Sequence, residues 1–169
     1  NAISHFTDWT IAHVHIGGLG WNGFLTFGML YWLIPKMWKT KLFSRKLANV
    51  HFWIGALGIL FYALPLYWAA FTQWAMWQEF SADGFLVYPN FLETVTQIIP
   101  MYGMRAIGGL LYLTGTLVMI YNLVATIKQG SFVKDEAAEA PALEKAYTGH
   151  ESDHWHRKLE RTPVQLLVL

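Results

Sequence analysis

The sequence predicts an all-α membrane protein with three transmembrane helices, a polar tail and the start of a further helix. Three observations carry this. Hydrophobic residues make up 54% of the 169 and aromatics 17%, whereas charged residues are only 14%, well below the roughly 25% of a soluble domain. Three stretches, approximately 9–34, 49–77 and 101–127, are apolar over the roughly 20 residues that a helix needs to cross a hydrocarbon core. Charge is also divided between the connections. Lys36, Lys39, Lys41, Arg45 and Lys46 lie between the first two stretches with no acid among them, while Glu79, Asp83 and Glu93 follow the second with no base.

The first span follows Thr7 and Asp8, either of which suits a helix N-cap, and Pro35 is expected to close it. The second carries Pro65 in its interior, where a membrane helix tolerates a kink. Arg105 enters the third from the acidic side. The positive-inside rule puts the basic connection in the cytoplasm and residues 1–8 and the acidic connection on the opposite side, the periplasm if the source is a Gram-negative bacterium. Trp9, Trp32, Trp38, Trp74 and Trp77 fall near span ends, as aromatic belts require.

From Lys128 the chain turns polar, with an acidic, alanine-rich stretch from Asp135 to Ala140 before Pro141, and residues 128–153 read as an exposed linker. His150, His154 and His156 fit a solvated tail better than a metal site, because no rigid frame surrounds them. The chain opens on Asn1 without a basic, apolar leader, and the run from Val164 to Leu169 ends in mid-course. Both ends read as those of a piece of something longer.

The triplet His13-Val14-His15 is the densest chemical signal. Residues at i and i+2 of an α-helix point about 200° apart, so the two imidazoles face opposite sides, whereas ligands of one metal ordinarily sit at i and i+4. The absence of cysteine removes disulfides, thiolate sites and covalent haem attachment. Buried polar groups in a membrane are costly and usually functional, and back-to-back imidazoles there point to two separate haems, against the competing reading of a pair hydrogen-bonded to neighbouring helices. Gly17, Gly18, Gly20 and Gly23 would let a flat macrocycle approach the backbone, although tight helix packing explains them as well.

The run from Asn1 through His5-Phe6-Thr7-Asp8-Trp9 to His13-Val14-His15 resembles the tenth helix of the catalytic subunit of cbb3-type cytochrome c oxidases, the C-type haem–copper oxidases. Leu30-Tyr31-Trp32-Leu33-Ile34-Pro35, His51-Phe52-Trp53-Ile54 and Arg105-Ala106-Ile107-Gly108-Gly109-Leu110-Leu111-Tyr112-Leu113 are similar to the same family, in order, over most of residues 1–127. The resemblance implies a C-terminal part of a twelve-helix bundle that reduces oxygen to water with electrons from cytochrome c and translocates protons. It implies that His13 ligates the high-spin haem b, at the catalytic centre, and that His15 ligates the low-spin haem b. Copper belongs to the intact site, with its ligands on helices outside this chain.

The resemblance also places His5 near haem propionates, where a side chain whose charge changes near neutrality suits proton exit. A surface histidine at the helix start is the competing reading. Arg105 suits bidentate pairing with propionates, against a snorkelling arginine at the interface. Asp8 reads as a helix-start residue and His51 as structural or interfacial. His154-Trp155-His156-Arg157-Lys158-Leu159-Glu160-Arg161-Thr162-Pro163 resembles the start of the oxidase's membrane-anchored cytochrome c subunit, so that residues 154–169 would begin a fused second subunit. Partners implied are cytochrome c-type subunits, the remaining helices of the catalytic subunit, oxygen and membrane lipid, with no nucleic acid. A nitric oxide reductase catalytic subunit and a non-catalytic membrane cytochrome b remain as alternatives.

Overall fold

The computed structural model describes residues 2–134. They form α1 (Asp8–His15), a π-helical stretch (Ile16–Gly23), α2 (Phe24–Met37), α3 (Arg45–Trp77) and α4 (Phe91–Lys128). No strand occurs among the described residues, only an isolated bridge between Phe80 and Leu86 in the turn before α4. The all-α membrane architecture expected from composition is the one observed. Helices α3 and α4 are each long and apolar enough to cross a membrane, and the first expected span is a continuous rod of changing pitch from Asp8 to Met37.

That change of pitch coincides with a side chain reaching in from another helix. The Tyr112 hydroxyl, on α4, donates to the Leu19 carbonyl at 2.9 Å, and a side chain inserted into the backbone ladder disturbs α-helical bonding. Gly23 makes room for it, since a Cβ there would lie 2.5 Å from the Tyr112 oxygen. A run of eight π-helical residues is unusual, because such segments are mostly single turns at functional sites.

Helix ends differ from the apolar stretches that announced them. Pro35 does not close the first rod: only the bond to the Tyr31 carbonyl is forgone, and helix continues to Met37 before Trp38 N–H closes on the Ile34 carbonyl at 3.1 Å. Helix α3 starts at Arg45 under a Ser44 cap, whose oxygen accepts from Leu47 N–H at 3.2 Å. Helix α4 starts ten residues ahead of the apolar stretch, capped by Asn90 on Leu92 N–H at 3.1 Å, and passes through Pro100. Polar first turns are helical too, and a hydropathy criterion sees only the segment inside hydrocarbon.

Helices α3 and α4 make the main interface through small residues. His51, Gly55, Gly58, Leu66, Ala69 and Gln73 are buried along α3, and Gly108, Gly115, Met119 and Asn122 along α4, both at the three-and-four spacing of one helix face. At the basic end the Asn122 side chain, fully buried, accepts from Ser44 N–H at 3.0 Å and donates to the Ser44 carbonyl at 2.8 Å, stitching the start of α3 to α4. His51 is buried beside Phe24 and Phe27, with Nδ1 3.1 Å from the Tyr31 hydroxyl. This is a packing role at a three-helix junction.

At the acidic end the corresponding stitch is Asp8. Thr7 is the N-cap, accepting from Trp9 N–H at 3.3 Å, which frees the Asp8 carboxylate to accept from Gln73 Nε2 at 3.0 Å and from the Tyr102 hydroxyl at 2.8 Å. Asp8 N–H in turn donates to Gln73 Oε1 at 2.7 Å. Asp8 is only 4% exposed, so it ties α1 to both α3 and α4. Replacing it with alanine strands two donors, at roughly 1–3 kcal/mol for each one buried without a partner. In the full-length subunit Asp8→Ala is expected to lower the thermal unfolding midpoint, whereas Asp8→Asn, which keeps an acceptor, retains most of it; equal stability of wild type and Asp8→Ala would refute the tie.

Candidate functional site

The last turns of α1 present two imidazoles to different surroundings. His15 Nδ1–H donates to the Ile11 carbonyl one turn earlier at 2.7 Å. This fixes the proton on Nδ1 and leaves the Nε2 lone pair for a metal, the usual way a ligating histidine is oriented. The His15 ring lies against Tyr62 of α3, centroids 4.8 Å apart with planes tilted by 32°. His13 is exposed and makes no hydrogen bond or ring contact among the described residues. The two side chains therefore serve opposite sides of one helix, as the i, i+2 spacing requires.

On the His15 side a cleft of about 490 Å³ opens between α1, α3 and α4, lined by Asp8, Ile11, Tyr62, Tyr102, Arg105 and Gly109. An apolar pocket of about 230 Å³ continues it along Leu19, Gly58, Ile59 and Tyr112, with Tyr62 and Gly109 lining both. The Arg105 guanidinium lies 5.5 Å from the centroids of both Tyr62 and Tyr102, and it forms no ion pair among the described residues. A half-buried cation held on two aromatic faces beside a cleft is suited to an anion within it. An apolar pocket joined to a cleft with a cation beside it, and with the His15 imidazole packed on the Tyr62 ring that lines both, suits a flat macrocycle bearing carboxylates.

His5 is not brought to this cleft. The chain turns through residues 2–6, with Phe6 at φ +63°, and α1 begins only at Asp8, so His5 lies outside the helix that carries His13 and His15. Its exposed ring contacts Phe6 at 4.0 Å. Tyr62, Tyr102 and Gln73 went unremarked in the sequence, although Tyr62 lies four residues beyond Gly58 and Tyr102 three before Arg105, on shared helix faces. Among the described residues no three histidine, aspartate or glutamate side chains cluster to hold a metal ion. Of the expected linker, Lys128 is instead the last residue of α4, and Val133 N–H donates to the Met37 carbonyl at 3.0 Å; residues 135–153, with His150, and the stretch similar to a cytochrome c subunit, with His154 and His156, lie outside the described residues.

Residues 1–111, which include His5, His13, His15 and Arg105, match the family described as Cytochrome C and Quinol oxidase polypeptide I. The chain belongs to this family. It is 48% identical over 150 residues to "Cytochrome c oxidase subunit 1 homolog" of Agrobacterium tumefaciens (strain T37), covering 86% of this chain and 27% of that protein. To "Cytochrome c oxidase subunit 1" of Rhodobacter capsulatus it is 48% identical over 143 residues, covering 84% and 27%. "Cbb3-type cytochrome c oxidase subunit CcoN1" of Stutzerimonas stutzeri is 38% identical over 139 residues, covering 82% and 29%. The chain thus spans about a quarter of the length of these polypeptide I relatives.

Proposed function

We propose that this chain is the C-terminal part of the catalytic subunit of a cbb3-type terminal oxidase of a bacterial inner membrane. The intact enzyme reduces oxygen to water with electrons from cytochrome c and couples this to proton translocation. The observation that carries the proposal is the opposed pair on α1: His15 with Nδ1 engaged and Nε2 free, His13 turned away with its ring unengaged among the described residues. A haem, when bound, supplies electron transfer and, at the high-spin site, the reaction with oxygen.

This chain's residues bind and orient. His15 would ligate the low-spin haem b on the side of the Arg105 cleft, and His13 the high-spin haem b on the other. One short helical segment holds both imidazoles, and so would hold the two groups close enough for electron transfer. Arg105 offers its fork to propionates of the haem on the His15 side. His5, exposed and outside the cleft, would serve the propionates of the high-spin haem as in the family the chain resembles, where its exposure suits a proton leaving toward the outward face. Copper is held by residues of other helices of the subunit. Val14, Trp21, Leu25, Met29 and Trp32 expose an apolar flank along the first rod, which offers a face to those helices and to lipid. Residues 1–127 form the catalytic-subunit portion, 128–153 a linker, and 154–169 the start of a cytochrome c subunit.

Metal analysis and optical spectroscopy of the full-length subunit test this. A carbon-monoxide-reactive high-spin haem b with one copper is expected beside a low-spin haem b. Non-haem iron in place of copper would indicate a nitric oxide reductase, and two low-spin haems with no carbon monoxide binding a cytochrome b.

A further inference from the structure

We infer that Tyr62 is a positioning residue that holds the His15 imidazole and the Arg105 guanidinium in one stack, and thereby sets the electronic state of the haem on that side. The inference deepens the proposed function and rests on His15 being the ligand of the low-spin haem b. Its ground is a juxtaposition: the same phenol ring meets His15 at 4.8 Å and Arg105 at 5.5 Å and lines both the cleft and the apolar pocket. Tyr62 therefore joins the cleft to the pocket.

An imidazole bonded at Nδ1 to its own helix still has freedom about its side-chain torsions. A ring packed against it at a 32° tilt removes most of that freedom and selects one plane. The plane of an axial imidazole governs how its orbitals meet those of a low-spin iron, so fixing the plane fixes the magnetic signature of the ferric state. Arg105 is held on the ring by attraction of a cation to the face of an aromatic. A cation kept near a haem favours the reduced form, which carries one positive charge fewer, and so raises the midpoint potential.

The platform is rigid because of where it is rooted. Tyr62 stands at the tightest crossing of α3 and α4: a Cβ on Gly108 would lie 2.5 Å from the Tyr62 backbone nitrogen and 2.7 Å from the Gly58 carbonyl oxygen. With backbone in contact with backbone, the ring's origin has no slack, and sites on such elements hold tighter geometry than sites on loops. The Tyr62 hydroxyl makes no hydrogen bond among the described residues. The ring therefore carries the effect.

The test uses the complete oxidase with Tyr62→Phe, Tyr62→Leu and Tyr62→Met in the full-length subunit, with His15→Ala and Arg105→Gln as references. Readouts are haem content, the electron paramagnetic resonance of the oxidised low-spin haem, and its midpoint potential. Tyr62→Phe is expected to match wild type in all three. Tyr62→Leu and Tyr62→Met are expected to keep the haem, shift its g-values and lower its potential. In an Arg105→Gln background the Tyr62 substitutions should lower the potential no further, as a cycle of coupled residues requires. Unchanged g-values and potential in Tyr62→Leu at full haem content would overturn the inference, as would Tyr62→Phe behaving like Tyr62→Leu. If neither Tyr62→Leu nor Tyr62→Met assembles, the residue is a packing element and the inference also fails. A His15→Ala protein that keeps its low-spin signal would instead sink the ligand assignment itself.

Discussion

Replacing His15 with alanine in the full-length subunit is expected to abolish the low-spin haem b signal and leave much of the high-spin, carbon-monoxide-reactive one; His13→Ala is expected to do the reverse. The expectation follows from the two environments. His15 packs on Tyr62 beside a formed cleft, whereas His13 is exposed and makes no hydrogen bond or ring contact among the described residues, so the two side chains do not share one set of partners. His13→Ala should therefore change the folding stability of this portion by no more than about 0.5 kcal/mol, the range of substitutions away from packed features, while removing an iron ligand outright. Reduced-minus-oxidised spectra with and without carbon monoxide separate the two haems. Equal loss of both signals from each variant, at normal subunit yield, would defeat the two-sided assignment.

The opposed histidines were legible in the sequence because a helix of fixed pitch converts spacing into direction. The two long spans, α3 and α4, were legible for a similarly local reason, since hydrocarbon thickness sets a length of apolar chain. What escaped is what depends on contacts distant in sequence. Asp8 reads locally as a helix-start carboxylate, yet its partners Gln73 and Tyr102 are 65 and 94 residues away. The π-helical stretch depends on Tyr112, 93 residues from the Leu19 carbonyl that its hydroxyl engages. Tyr62 carries no signal beyond its spacing from Gly58, because a ring's neighbours are set by helix register and crossing, which a hydropathy pattern leaves open. The turn at Phe6, which sets His5 apart from α1, likewise left no mark in the apolar pattern.

Gly108→Val is expected to be strongly damaging. A Cβ at Gly108 would lie 2.5 Å from Tyr62 N, 2.7 Å from the Gly58 oxygen and 2.7 Å from the Phe61 carbonyl carbon, all backbone atoms. No rotamer relieves such contacts, so α3 and α4 must part. Without a hydrophobic drive between helices in lipid, their association rests on close packing and interhelical hydrogen bonds, and separating them weakens both along the buried stripe. Overpacking ordinarily costs about 1–3 kcal/mol when side chains can adjust; backbone against backbone puts this site at the upper end or beyond. Gly103, where a Cβ meets nothing within 4 Å, supplies the control: Gly103→Ala should hold its stability or gain roughly 0.5–1 kcal/mol from the helix preference for alanine. The measurements are subunit yield in membranes and thermal midpoint in detergent. Because Tyr62 and Arg105 sit on the two helices that part, whatever Gly108→Val protein does assemble should show a disturbed low-spin haem before a disturbed high-spin one. Wild-type stability in Gly108→Val would mean that the crossing is not what holds α3 to α4, and would take with it the rigidity ascribed to Tyr62.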